Sequence, residues 1–491
     1  MVNNILLKLK KSNLLAILSS FSASEIREFD DFIRSPFFNK NQSIVSLYSY
    51  LKIHYPVFSE EAVDKRTVFA ALFAGAEYND GFLRTLMFSL VSLAEEFLSY
   101  TEIRSRKAYY KVNLLKAYNR KNLWKQFEKE CKKSLNEMND TERRDFQYYY
   151  ERYSMENEAY HILQKKYFNR TEKFHLNNGI YNITYNLGSY YNITMLRLYL
   201  YILNVKELYS IELKAHDTEE AFKALDPLKY KDTPIIPLFY DIIKMHLEQN
   251  SEKYYRAAGN RLHRDLSRLP EDDIMEVIIN LENYCKKMIR QDKDEYRAEL
   301  LKLYKLEIEL EIYKSEPGGL SLNMFISVVK CGLGENDTQW VKGFINTYKK
   351  ELRDEIREAA ENFAMALFEF SAGRFQKTVS LLSGIRHFDL YNKFEIRSLL
   401  LSAYYELSMF DEMEASIDSF RHMLANDKFI SPSRKKYYLN FIRVLLKMIK
   451  MKERRDTGMI AEIGEMLRTP DFILEKVWVR KKLSEAETGF R

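Results

Sequence analysis

The chain has 491 residues, enough for about three domains at roughly 150 residues each or for one long repeat array. Glycine (15) and proline (9) are scarce, about 5% together against a usual share of about 12%, which removes most support for strand-rich or disordered classes and leaves an all-α chain. The net charge of +6 is small for this length, so overall balance points to neither nucleic acid nor membrane, and only the distribution of charge can.

Taken in chain order, the N-terminus has Lys8, Lys10 and Lys11 before a short apolar run, Leu14 to Leu18. That run is too brief for a secretory signal, and Ser22-Ala23-Ser24-Glu25 reads as a capping box opening a helix with Ile26, Phe29, Phe32 and Ile33 on one face. Ser35-Pro36 closes it. Ile44, Leu47, Tyr48 and Leu51 mark the next helix, ended before His54-Tyr55-Pro56. After Asn79, the residues Phe82, Leu83, Leu86, Leu90, Leu93, Ala94, Phe97 and Leu98 keep a helical period for about five turns. Residues 1–103 therefore read as an N-terminal helical domain. A basic, aromatic-rich region follows at 104–225, then central hairpins at 226–335 and a repeat region at 336–491. Pro227, Pro234 and Pro237, and then Pro317-Gly318-Gly319, predict breaks between helices. No run approaches the roughly 18 to 20 apolar residues of a membrane span. Three widely spaced cysteines (Cys131, Cys285, Cys331) form no paired motif, which fits a reducing, cytoplasmic setting and small apolar core roles.

Internal similarity is the most informative feature. Residues 363–385 and 398–420 superpose with an offset of 35, placing Phe370 on Tyr405, Gly373 on Ser408, Phe375 on Phe410 and Leu382 on Ile417. Each segment predicts two helices around a tight turn, and Phe375 and Phe410 are expected to be buried. Residues 114–135 fit the same frame, with Ala117-Tyr118 on Ala403-Tyr404 and Trp124 on Phe410. This spacing resembles the tetratricopeptide-repeat-like superfamily, in divergent form: Phe127, Thr378 and Met413 stand where that family prefers alanine, and no proline closes a unit. The resemblance implies an α-solenoid of stacked hairpins, about 20 to 25 helices in all, behind the N-terminal domain. It also implies that Lys116, Asn119 and Arg120 lie on the groove-facing side of a first helix.

Charge is concentrated. Between Arg104 and Lys133 the net charge is +9, and between Arg434 and Arg455 it is +8, so the remainder of the chain is acidic. Lys121, Lys125, Lys129 and Lys133 stand four apart, as if on one helix face opposite Trp124, Phe127, Cys131 and Leu135. Such a row repels itself unless something anionic faces it. Phe146, Tyr153, Tyr160, Tyr167, Phe174 and Tyr181 recur every seven residues and read chiefly as helix-interface packing. Glu158-x-x-His161 is half of a carboxylate-bundle metal motif with no second half. Gly332-Leu333-Gly334 reads as a helix-ending turn. No motif for catalysis, metal or cofactor binding stands out.

The sequence thus predicts a non-enzymatic interaction scaffold that needs no cofactor. Its partner would be a protein or peptide, acidic in character, docked on Lys116, Asn119, Arg120, Lys121, Lys125, Lys129 and Lys133. The rival expectation is a helical-repeat nucleic-acid binder that uses basic clusters and aromatic stacking.

Overall fold

The computed structural model describes residues 12–167, 176–209, 213–249, 251–315, 319–385, 390–427, 430, 432–454, 456–468 and 475–489. Among them the chain forms twenty-three α-helices and no extended strand. It divides into two compact units, residues 1–194 and 195–491.

The first unit begins with α1 (Asn13–Ser20), α2 (Ala23–Arg34), α3 (Gln42–Ile53), α4 (Lys65–Leu72) and the long α5 (Asp80–Ser105). The expected capping box is present: Ser22 Oγ accepts the Glu25 N–H at 3.2 Å, and Glu25 Oε2 accepts the Ser22 N–H at 2.7 Å. Ile26, Phe29, Phe32 and Ile33 are buried, as the period required, and the core that gathers them adds Tyr48, Leu51, Leu86, Leu90 and Phe97. Phe21, Phe32 and Tyr48 pack edge-on against Phe29 or Phe97 with ring centroids 5.0 to 5.6 Å apart. Phe82 and Leu98, expected on the core face of α5, are exposed instead, Phe82 in its first turn and Leu98 about two turns before its C-terminus. The unit continues with α6 (Lys107–Arg120), α7 (Trp124–Asn139) and α8 (Phe146–Tyr167), and the boundary between the units falls inside α9 (Leu176–Tyr209).

The second unit holds α10 (His216–Ala224), α11 (Ile235–Leu247), α12 (Ser251–Asp265), α13 (Glu271–Arg290), α14 (Tyr296–Glu309), α15 (Leu322–Gly334) and α16 (Thr338–Tyr348). It is completed by α17 (Asp354–Ser371), α18 (Phe375–Ser383), α19 (Leu390–Leu407), α20 (Phe410–Asn426), α21 (Pro432–Arg454), α22 (Thr457–Arg468) and α23 (Lys476–Gly489). Of the three clustered prolines, Pro234 caps α11 and Pro237 sits inside its first turn, where a missing N–H costs nothing. Pro317 and Gly318 lie outside the described residues.

One hairpin turn recurs. In α6–α7, α15–α16, α17–α18 and α19–α20, a single left-handed residue ends the first helix: Asn122 (φ 56°), Asn336 (φ 58°), Gly373 (φ 75°) and Ser408 (φ 56°). The next residue returns its N–H to a carbonyl five positions back, Leu123 to Tyr118, Asp337 to Gly332, Arg374 to Glu369 and Met409 to Tyr404, at 2.9 to 3.0 Å. This is a Schellman closure, and that residue is also the N-cap of the second helix. The burial pattern repeats with it. Leu115, Val329, Ala366 and Leu401 are buried on the first helices, and Phe127, Val341, Thr378 and Met413 on the second. Phe375 and Phe410 are half-buried, not fully buried, because each ring lies at the turn end of its hairpin, on the first residue of the second helix, against Phe370 or Tyr405. Gly332 is needed where α15 meets α16, since a Cβ there would come within 2.5 Å of Val341 Cγ2.

The last helix, α23, does more than follow α22. Lys476 Nζ and Arg480 Nη2 reach Asp292, in the turn after α13, at 2.8 and 3.2 Å. Trp478 Nε1 donates to Glu406 Oε1 of α19 at 2.7 Å, and its ring meets Tyr405 and Phe370. Val479 and Leu483 are buried in the C-terminal core.

Candidate functional site

The α6–α7 hairpin carries every residue predicted to contact a partner. Its turn alters one expectation. Lys121 is the C-cap of α6 and lies outside α7, so the lysine row on α7 is Lys125, Lys129 and Lys133, joined by Lys132. These four are exposed, while Phe127, Cys131, Ser134 and Met138 form the buried stripe of the same helix. At about 100° per residue, Lys125 and Lys129 stand opposite that stripe.

On α6, Val112 and Leu115 are buried and Lys111 pairs with Glu130 across the hairpin. Asn119 donates from Nδ2 to Glu158 Oε2 of α8 at 3.2 Å, so its amide serves a helix-to-helix contact. Lys116 and Arg120 are exposed beside it. The two predicted sets therefore point differently: Lys116 and Arg120 flank the α8 side of α6, and the α7 lysines face away from the helix's packed side. Lys116, Arg120, Lys121, Lys125 and Lys129 make no ion pair with any described residue. Lys133 is 3.7 Å from Glu137, with both side chains more than half exposed, a contact of small energy. Sequence reasoning missed Tyr109, an exposed ring seven residues before Lys116 on the same face, and Lys132; the i, i+7, i+11 spacing of Tyr109, Lys116 and Arg120 was the available signal.

The second basic cluster behaves otherwise. Lys447 pairs with Glu462 at 2.5 Å, Lys435 donates to the Asp427 carbonyl at 2.7 Å, and Lys452 donates to Ser408 Oγ at 2.9 Å while lying over the Tyr405 and Phe410 rings. Much of its charge is engaged in holding α21 against its neighbours.

Beneath the basic hairpin, a buried polar network fixes α8. Arg152 donates to Glu156 Oε1 at 3.1 Å, to the Tyr148 hydroxyl at 2.8 Å and to Asn139 Oδ1 at 2.7 Å, and Asn186 of α9 donates to Glu156 Oε2 at 2.8 Å. Burial holds the Glu156 carboxyl above the usual range even against these partners. Five residues earlier, burial pushes the Glu151 carboxyl up to about 7, with Arg106 pulling the other way.

The heptad stripe divides. Phe146, Tyr153 and Tyr160 are half-buried on α8, and Phe146 stacks on Tyr190 of α9 at 6.3 Å. Tyr181 is exposed on α9, contrary to a packing role, and Phe174 lies outside the described residues. Glu158 is engaged with Asn119, and His161 is exposed against the Tyr160 ring. Among the described residues no three histidine, cysteine or acidic side chains come together as a metal site, and no helix is long and apolar enough to cross a membrane. All three cysteines are buried, and burial raises their thiols to about 11 (Cys131, Cys285) and about 12 (Cys331). No family profile, curated protein or solved structure matches this chain.

Proposed function

We propose that this protein is a non-enzymatic interaction protein of the cytoplasm, built on tetratricopeptide-like hairpins that stack as a solenoid in the second unit, and that it binds an acidic protein partner on the α6–α7 hairpin. One observation carries the reading. Five cations of that hairpin are exposed with no carboxylate from the described residues against them, whereas the other basic cluster is largely engaged within the fold. A lysine row four residues apart costs a few tenths of a kcal/mol per pair, and an acidic partner would reverse that cost. Lys116 and Arg120, with the Tyr109 ring beside them, make the specific contact in this reading. Lys125, Lys129 and Lys133 steer the approach, since exposed rim charges act mainly on association rate and salt dependence.

Crosslinking in the native cell, followed by recovery of the protein with whatever it holds, tests the proposal. A protein partner whose binding is abolished by Arg120→Glu, and whose association is slowed by Lys125→Glu, is the expected result. Recovery of RNA or DNA, with affinity falling steeply as salt rises, would replace it with the nucleic-acid reading. Binding insensitive to both reversals would mean the hairpin is only a solvated surface.

A further inference from the structure

Helix α9 presents a second unexplained surface, and it is the opposite of a basic one. Between Leu176 and Val205 its only charged side chain is Arg197, which is engaged with Asp273 of α13. Asn186, Ser189, Ile193, Leu196 and Leu200 form its buried stripe. Across the helix from that stripe stand Ile180, Thr184, Leu187, Tyr191, Thr194, Leu198, Tyr201 and Val205, spaced alternately four and three residues apart. Ile180, Leu187, Tyr191, Leu198 and Tyr201 are 42 to 63% exposed, Thr184 is exposed as well, and Thr194 and Val205 are half-buried. Both threonine hydroxyls are already bonded to α9's own backbone, Thr184 to the Ile180 carbonyl at 3.0 Å and Thr194 to the Tyr190 carbonyl at 2.9 Å, so each offers a methyl outward. A helix with one charge over thirty residues and apolar residues on both faces is normally covered on both.

The spacing is that of a coiled-coil seam, with Thr184, Tyr191, Leu198 and Val205 at a-type positions and Ile180, Leu187, Thr194 and Tyr201 at d-type ones. We infer that this seam pairs with α9 of a second copy of the chain, antiparallel, to make a homodimer. Antiparallel pairing sets a against d, giving the layers Ile180 with Val205, Thr184 with Tyr201, Leu187 with Leu198, and Tyr191 with Thr194. Every large ring then meets a small threonine, and every aliphatic side chain meets another aliphatic. That size matching is what close packing demands. A parallel pair in register would instead place Tyr191 on Tyr191 and Thr184 on Thr184. The seam is about 37 Å long at 1.5 Å per residue, and repetition of all four layers by the two-fold axis gives an isologous contact.

Sedimentation velocity on the full-length protein at tens of micromolar tests this. The expected result is twice the chain mass for the native protein and the single chain mass for Leu187→Asp/Leu198→Asp, with helix content by circular dichroism unchanged. Should that variant fail to fold, the double variant Leu187→Cys/Leu198→Cys decides. Under oxidation it should give a covalent dimer, since an antiparallel seam brings the two positions of different chains together, whereas the eleven-residue separation along one helix prevents an internal bond. Leu187→Cys alone should give none. A native chain that sediments as a monomer, a dimer that survives both aspartates, or a disulfide formed equally well by Leu187→Cys alone would overturn the inference.

Discussion

Asn122 and Ser408, in different units of the protein, hold the same left-handed backbone, φ 56° in each, at the same place in a hairpin turn. Neither is glycine, so both turns carry a conformation that L side chains adopt at a cost. Gly373 meets the same demand without strain, at φ 75°, and nothing lies within 4 Å of where its Cβ would be. Gly373→Ala is therefore expected to lower stability by about 1 kcal/mol through backbone strain alone. Ser408→Gly should raise it by about 0.5 kcal/mol, less whatever the exposed Lys452 contact contributes. Denaturant unfolding of the two variants checks the opposite signs.

Burial ranks two positions in the α19–α20 hairpin. Met413 is completely buried and Phe410 is half-buried. Met413→Ala should cost about 3 kcal/mol and Phe410→Ala about 2, although phenylalanine is the larger side chain. Chemical denaturation of both measures the order, and a larger loss at Phe410 would show that its ring is held more tightly than its exposure indicates.

Thiol chemistry should be silent in the folded protein. With the cysteines buried and their thiols raised from 9 to about 11 or 12, the thiolate fraction at pH 8 falls at least about a hundredfold. Alkylation followed by intact mass should find almost no native labelling in the time that denatured protein takes up three groups.

Glu151 gives a pH dependence with a defined sign. Its carboxyl titrates near 7 in the folded chain and near 4.5 when unfolded, so the folded state holds the proton more tightly between those values. Stability then declines as pH rises from about 4.5 to 7, and the loss is complete above that. Because the side chain keeps partial access to water, about 1 kcal/mol is expected in place of the full shift. Glu151→Gln should thus be more stable than the native chain at pH 8 and equal to it near pH 4, as read from thermal melts across that range.

The hairpins were legible in sequence where an aromatic ring followed the turn. Trp124, Phe375 and Phe410 occupy one position, and the alignment built on them reproduces the buried pairs Leu382 with Ile417 and Thr378 with Met413. The α15–α16 hairpin has the same turn at Asn336 but carries Thr338 at that position, with its ring moved to Trp340, so no alignment by residue type finds it. Backbone hydrogen bonding, not side-chain identity, is what the four turns share. The basic hairpin was legible in composition but not in direction. Lys121 matches the row by spacing alone, and only the left-handed Asn122 after it shows that the helix has already ended.

Helix α23 changes how the second unit must come apart. Stacks of hairpins that touch only their neighbours can fray from an end, each unit opening on its own. Here the final helix is tied to Asp292 by Lys476, 184 residues later in the chain, and by Arg480, 188 residues later. It is tied as well to Glu406 by Trp478. Opening the last helix therefore requires releasing contacts made at the α13–α14 turn, which couples the C-terminal helix to a hairpin far earlier in the chain and makes fraying from that end less local. The same closure is slow to assemble, because Asp292 emerges from synthesis long before its partners exist, and formation of such distant contacts waits for the last helix to be made.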